Sequence, residues 1–234
     1  MKYMGSKSRF AKELLPIMLM DRGNRAWIEP FVGGGNMIDK VQGVRIGADS
    51  NRYAIEALIT IRDNVLHLPK NNIEFTEEDY EMLREDDTYK YKGYAGFAFS
   101  YGAKWLGGWR RDKLKKRDYV SEAYRNALKQ SPKLQGVSLL HKTYRQLEIP
   151  KNSLIYCDPP YEGTTQYRDQ FNHSDFWEWC REMVIKGHKV FISEYNAPDD
   201  FVCIWQKETV SSLTKDTGSK KAIEKLFKHK SQHT

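Results

Sequence analysis

Apolar positions recur at helical spacing at Phe10, Leu14, Ile17 and Met18, and Pro16 inside this stretch predicts a kinked or shortened helix. Ala26 to Phe31 then reads as a short strand running into Gly33-Gly34-Gly35, and Val44 to Ala48 reads as a second strand ending at Asp49. From Asn51 onward, Ala54, Ile55, Leu58, Ile61 and Val65 mark a helix of about four turns. This opening is the pattern of a sheet with helices on its faces.

Between residues 67 and 135 the pattern changes. The segment is highly charged, with helical stretches at Glu77 to Arg84 and Tyr119 to Gln130 and no convincing strand run. Strand patterns return at Gly136 to Leu140, Ser153 to Cys157, His188 to Ser193 and Phe201 to Trp205. A helix opened by Ser174 as N-cap and closed before Gly187 precedes the third of these. The predicted architecture is one α/β domain built from residues 1–66 and 136–234, with a mainly helical insertion at 67–135.

Charge sharpens that division. The chain of 234 residues carries 38 basic and 31 acidic side chains, a formal charge of +7. Residues 101–135 hold ten Lys or Arg against three acids, which equals the whole excess, while Glu74 to Asp87 holds eight acids and one Arg. The acidic run reads as a solvated helix face. The basic run follows interleaved aromatics and glycines at Phe97, Phe99, Tyr101, Trp105 and Trp109, the composition of a surface that neutralises phosphates and stacks on bases. Lys104, Trp105, Trp109, Arg110, Arg111 and Lys113 are its candidate DNA-binding residues.

Mean hydropathy of -0.72 leans towards disorder, but an aromatic content of 13% supplies the apolar surface of a folded protein. Apolar stretches such as Leu14 to Met20 are far shorter than the ~20 residues of a bilayer span, so a cytoplasmic protein without membrane contact is expected. Cys157, Cys180 and Cys203 form no CxxC pair and are expected to be buried thiols. His229 and His233 have a four-residue spacing with no accompanying carboxylate, so a solvated tail is expected there and no metal site.

The densest chemistry lies at Asp158-Pro159-Pro160-Tyr161, directly after the apolar strand at 153–157. A carboxylate at the carboxyl end of a strand occupies the ligand edge of an open α/β sheet. Two prolines stiffen the turn and remove competing N–H donors, and Tyr161 offers a π face. Together they describe a clamp for an exocyclic amino group on a flat heterocycle. The glycine loop alone would also suit a dinucleotide fold, but Ile38 stands where a third glycine belongs and Asp49 follows Gly35 by 14 residues, early for the ribose acid. No P-loop motif is present.

The tetrapeptide resembles the catalytic motif of S-adenosyl-L-methionine-dependent amino-methyltransferases, and further segments resemble the Dam-type (α-group) DNA adenine N6-methyltransferases in chain order. Lys2 to Lys7 looks like that family's N-terminal cofactor motif, Glu29 to Asn36 like its glycine-rich motif, and Gly47-Ala48-Asp49 like its ribose-binding acid. Ile192 to Tyr195 and Cys203 to Trp205 look like phage and prophage members, which implies a bacterial or phage-infected host cell. The resemblance runs from residue 2 to about 206. It implies a Rossmann-like methyltransferase sheet with a target-recognition insertion, S-adenosyl-L-methionine as cofactor, and double-stranded DNA as partner. It assigns cofactor binding to Tyr3, Lys7, Phe31, Gly33, Gly35, Asp49 and Asp158, and catalysis to Asp158, Pro159, Pro160 and Tyr161.

The expected reaction is methyl transfer to N6 of a flipped adenine. Asp158 and the Pro159 carbonyl would accept its two N–H bonds, and Tyr161 would stack on the ring. RNA adenine, cytosine N4 and a protein glutamine remain as alternative acceptors, and a non-catalytic DNA-binding module as an alternative class. The insertion from Phe99 to Arg111 does not match the segment with which GATC-specific members read their site, so a short or relaxed target is expected.

Overall fold

The computed structural model describes residues 1–20, 22–112, 114, 116–162, 171–210 and 221–232. Its helices are α1 (Ala11–Leu19), α2 (Arg52–Asp63), α3 (Glu77–Glu85), α4 (Lys92–Ala98), α5 (Tyr119–Leu134) and α6 (His173–Ile185). Its strands are β1 (Trp27–Glu29), β2 (Arg45–Asp49), β3 (Val137–His141), β4 (Leu154–Cys157), β5 (Lys189–Glu194), β6 (Phe201–Val210) and β7 (Lys221–His229). They form one seven-stranded sheet in the order β3-β2-β1-β4-β5-β7-β6, with β7 antiparallel to both neighbours and the other neighbouring pairs parallel. The expected α/β class with a Rossmann-like sheet is what the chain adopts.

Period-two alternation drives the layering. Trp27, Leu154, Tyr156, Phe191 and Leu226 join one apolar cluster, while Ile28, Ile155, Cys157, Val190, Ile192 and Phe227 join a second. The first takes in buried residues of α1, α2, α4 and α5, and the second those of α6, so the central strands are buried on both faces. Side-chain caps fix several helix starts: Asn51 accepts from the Tyr53 N–H at 3.0 Å, and Asp118 from the Ser121 N–H at 2.8 Å. Residues 67–135 carry α3, α4 and α5, and their buried residues continue the apolar cluster of α1 and α2.

Four expectations are corrected. Asn172, not Ser174, caps α6, because its side chain accepts from the Asp175 N–H at 3.0 Å. Cys203 is exposed, since β6 is an edge strand with an irregular register between Cys203 and Trp205. His233 lies outside the described residues, and His229, expected in a solvated tail, ends β7, an interior strand paired with β5 and β6. Its consecutive apolar pair Leu226-Phe227 hid the alternation, because each residue faces a different apolar layer. Lastly, the short helix α4 is wholly buried, including Phe97, so that this part of the aromatic stripe is core.

Candidate active site

Sheet order reverses between β1 and β4, and ligand crevices open at such a switch point beyond the carboxyl ends of the strands. The glycine loop leaves β1 there and the Asp-Pro-Pro-Tyr turn leaves β4 beside it, while Asp49 ends β2 on the far side of β1. Pairing of adjacent parallel strands thus brings together motifs more than a hundred residues apart.

The glycine loop is shaped by the protein on both sides. Gly33 and Gly35 have φ of +48° and +67°, a region that favours glycine. A Cβ on Gly34 would stand 2.6 Å from the Tyr3 Cβ, and one on Gly33 would stand 2.9 Å from its ring. Tyr3, in turn, packs on Phe97 at 5.1 Å between ring centroids. The loop therefore needs glycine for its own packing as well as for any ligand. Asp49 accepts from the Gly33 N–H and the Asn51 N–H, each at 2.9 Å, one on each carboxylate oxygen. Burial raises its pKa and those two bonds oppose the rise. Each oxygen keeps a lone pair, which suits a diol donating two hydroxyl protons.

Phe31 lies half-buried after β1, its ring against Tyr144, Phe171 and Phe176 at 5.6–5.8 Å. Gln130, buried on α5, donates through its amide to the carbonyls of Gly34 at 3.0 Å and Gly35 at 3.3 Å and to Asp39 at 3.2 Å. It is a supporting residue that the sequence reading missed. Its signal was a polar side chain in the buried stripe of α5 beside Ala127 and Leu134.

At β4, Asp158 is partly buried and its Oδ1 lies 3.1 Å from Lys7 Nζ. Lys7, 6% exposed, also approaches Glu224 Oε2 at 3.6 Å, donates to the Gly5 carbonyl at 3.2 Å, and sits 4.5 Å from the centroid of the Tyr161 ring. Burial works against this ammonium, but Asp158 and Glu224 outweigh it and the net shift is upward. Burial raises Asp158, and Lys7 opposes that rise. Tyr161 donates its hydroxyl to Glu224 Oε2 at 2.9 Å and meets Tyr195 edge-to-face at 4.6 Å. Pro159 is buried and Pro160 half-buried beneath this group.

Two further buried acids stand at the same sheet edge. Glu194 ends β5 and accepts from the backbone N–H groups of Tyr195 at 2.7 Å and Glu162 at 3.3 Å, tying the end of the Asp-Pro-Pro-Tyr turn to the next strand. Burial pushes it up to about 7. Glu29 ends β1, accepts from the Trp27 indole at 2.7 Å, and is pushed by burial up to about 8. Glu29 and Glu194 fall inside segments that carry the resemblance but are given no role there, and Glu224 lies in β7, which the sequence pattern does not predict.

The candidate DNA-binding residues occupy a different place. Ser100 and Trp109 form an isolated bridge closing a loop in which Gly102, Ala103, Leu106 and Gly108 all have positive φ. Inside it, Trp105 stacks on Tyr53 at 4.1 Å and touches Phe97 at 4.9 Å, and Trp109 packs among Phe75, Tyr80 and Phe99. These rings anchor the loop to the apolar cluster, whereas Tyr101 is 71% exposed. Arg110 lies over the Tyr119 ring at 3.8 Å, Arg111 pairs with Glu77, and Lys104 is half-buried. Lys113 lies outside the described residues.

Among the described residues, no helix is long and apolar enough to cross a membrane and no group of His, Cys, Asp or Glu could hold a metal ion.

Comparison with solved structures finds similarity to a candidate methyltransferase, yhhF from Escherichia coli, at 10% identity, covering 97% of this chain and 90% of that one with a TM-score of 0.42. SMU.472, also a candidate methyltransferase and solved in complex with SAH, is similar at 11% identity and a TM-score of 0.35. The match covers 97% of this chain, which spans about half (53%) of SMU.472. No curated protein matches. The model of the D12 class N6 adenine-specific DNA methyltransferases matches residues 3–128, which takes in Lys7, the glycine loop, Asp49 and the basic loop and stops before β3. More than half of the chain follows that pattern, and the protein belongs to the D12 class N6 adenine-specific DNA methyltransferase family.

Proposed function

We propose that the protein methylates N6 of adenine in double-stranded DNA, with Asp158 as the acceptor of the amino group and residues 67–135 as the part that meets the DNA. S-adenosyl-L-methionine is its cofactor. The observation that carries the reading is the convergence of Lys7, the Asp158 turn and the glycine loop at one switch point. Carboxylates at the end of β2 (Asp49) and just after β4 (Asp158), on either side of β1, would suit a cationic ligand that carries a diol. The bound cofactor supplies an electrophilic methyl group on a positively charged sulfur.

The chain's residues do the rest. Conjugation with the ring makes an adenine amino nitrogen a poor nucleophile. Accepting its two N–H bonds, at Asp158 and at the Pro159 carbonyl, directs the lone pair away from the ring plane. Pro159 and Pro160 have no N–H to compete for those acceptors. Lys7, 3.1 Å from Asp158 Oδ1, favours the charged form of that carboxylate against burial. The target base is buried in duplex DNA, so it must leave the stack to reach this turn, and the Tyr161 ring, in the same turn as Asp158 and beside Lys7, is the aromatic surface offered to it. Lys104, Arg110 and Arg111 provide phosphate contacts, and Trp105 and Trp109 support their loop from the core side. Asp49 receives the ribose hydroxyls, with Tyr3, Phe31, Gly33 and Gly35 bounding the cofactor side of the crevice.

Nucleoside analysis after reaction with labelled cofactor and mixed-sequence duplex DNA tests this. Label is expected in N6-methyladenine, at short or relaxed sites once mapped. Label in N4-methylcytosine, in RNA under parallel conditions or in protein would replace the adenine reading, and a sharp site of four or more bases would refute relaxed specificity.

A further inference from the structure

Glu224 has no part in the reaction as described, yet it is buried 2.9 Å from the Tyr161 hydroxyl and 3.6 Å from Lys7 Nζ, both approaching the same oxygen, Oε2. It reaches the site because β7 runs antiparallel to β5. Glu194, at the carboxyl end of β5, pairs with Lys225, which places Glu224 one residue further towards the crevice. A second carboxylate this close to Asp158 is electrostatically costly: one ammonium serves two buried acids, and Glu224 raises the pKa of Asp158. An apolar side chain would fill the position at lower cost, so the arrangement calls for a role.

Proton counting supplies one. The Tyr161 hydroxyl donates to Glu224 at 2.9 Å and is also within hydrogen-bonding reach of Asp158, so Glu224 competes with Asp158 for the single phenolic proton. An ammonium has three, and Lys7 directs them towards the Gly5 carbonyl, Asp158 Oδ1 and Glu224. Without Glu224, the phenolic proton and the part of the ammonium that Glu224 draws would go to Asp158 alone and occupy the oxygens that the substrate needs. We propose that Glu224 is a positioning residue for methyl transfer, holding the Tyr161 hydroxyl and the Lys7 ammonium so that Asp158 stays open to the target amino group. This rests on the reaction centre proposed above.

The test is the steady-state kinetics of full-length Glu224→Ala, Glu224→Gln, Tyr161→Phe and the Glu224→Ala/Tyr161→Phe double variant, with Asp158→Ala alongside. Expected for Glu224→Ala is a kcat about tenfold below wild type, with KM for cofactor and DNA within about twofold. Glu224→Gln, which keeps an acceptor oxygen, recovers kcat to within about threefold of wild type. Tyr161→Phe added to Glu224→Ala costs less than the product of the two single losses, because both remove one contact. A wild-type kcat in Glu224→Ala overturns the proposal, as do fully multiplicative losses, or a Glu224→Gln chain that fails to fold, which would make the residue structural. Asp158→Ala separates the two claims. Activity retained there overturns the reaction centre itself, whereas loss there with an unaffected Glu224→Ala overturns the role of Glu224 alone.

Discussion

The crevice at Asp158 and the loop at 100–111 both gather charged and aromatic residues, but they arrange them in opposite ways. At the crevice the charges are inside: Lys7 is 6% exposed and Glu224 8%, with the Tyr161 ring packed against the cation. Around the loop Trp105 and Trp109 pack towards the apolar cluster while the Arg111 side chain is 69% exposed in its pair with Glu77. Removing one partner of a buried pair leaves an uncompensated charge and costs about 3–5 kcal/mol, whereas an exposed pair contributes about 0–1 kcal/mol. Charge at the crevice is therefore fixed in place and suited to orienting a reacting group. The Arg111 charge at the loop can exchange a carboxylate for a phosphate at little cost.

The sharpest way to break this contrast is Asp158→Ala. Methyl transfer is expected to fall at least about a thousandfold in single-turnover assays, while DNA binding by gel shift stays within about twofold. Lys7→Met comes next, with an expected loss of about ten- to a hundredfold in kcat/KM. The sign of its pH effect follows from the acid that it serves. Asp158 must be ionised to accept an N–H, burial already raises its pKa, and Lys7 opposes that rise. Removing Lys7 therefore moves the acid limb of the kcat/KM profile to higher pH, and an unmoved limb would show that the cation does not act through Asp158.

Effects at the loop should be smaller and should depend on salt. Arg110→Ala and Arg111→Ala are each expected to weaken DNA binding several-fold at low salt and to reduce the slope of log K against log salt by about one per lost phosphate contact. A slope equal to that of wild type would place the DNA elsewhere. Smallest is a stability effect at the crevice. Glu29 has a folded pKa of about 8, raised by burial, so the folded state holds a proton that the unfolded state has lost. Its contribution favours folding at low pH and is lost as pH rises from the ordinary carboxylate range towards 8. Glu29→Gln, which can still accept from the Trp27 indole, is expected to raise Tm by a few degrees at pH 8 and to change it little at pH 5. A rise of equal size at both would contradict the protonation argument.

The same contrast explains what was legible in the sequence. β1, β2, β4 and β5 were readable because their apolar runs are bounded by turn residues, and the motifs that follow β1, β2 and β4 lie next to one another in any sheet of this order. Lys7 could be placed by its motif, but not its contact with Asp158, which depends on the fold. Glu224 was invisible because its strand, β7, shows no legible alternation, and Gln130 because a polar residue between Lys129 and Ser131 on a charged helix looks solvent-facing. The aromatics at 97–109 divide in a way composition does not show: Phe97 and Phe99 are buried, while the half-buried Trp105 and Trp109 pack against Tyr53, Phe97, Phe75 and Phe99.

The division of labour between crevice and loop is tested most directly by one paired measurement, the single-turnover methylation rate at saturating DNA together with DNA affinity, made on Asp158→Ala and on the Arg110→Ala/Arg111→Ala double variant. The account predicts that the first keeps its affinity and loses the reaction, and that the second loses affinity about tenfold or more at physiological salt while its saturated rate stays near wild type. A first variant that still methylates adenine at the wild-type rate, or a second that binds DNA normally and fails to react, would contradict it.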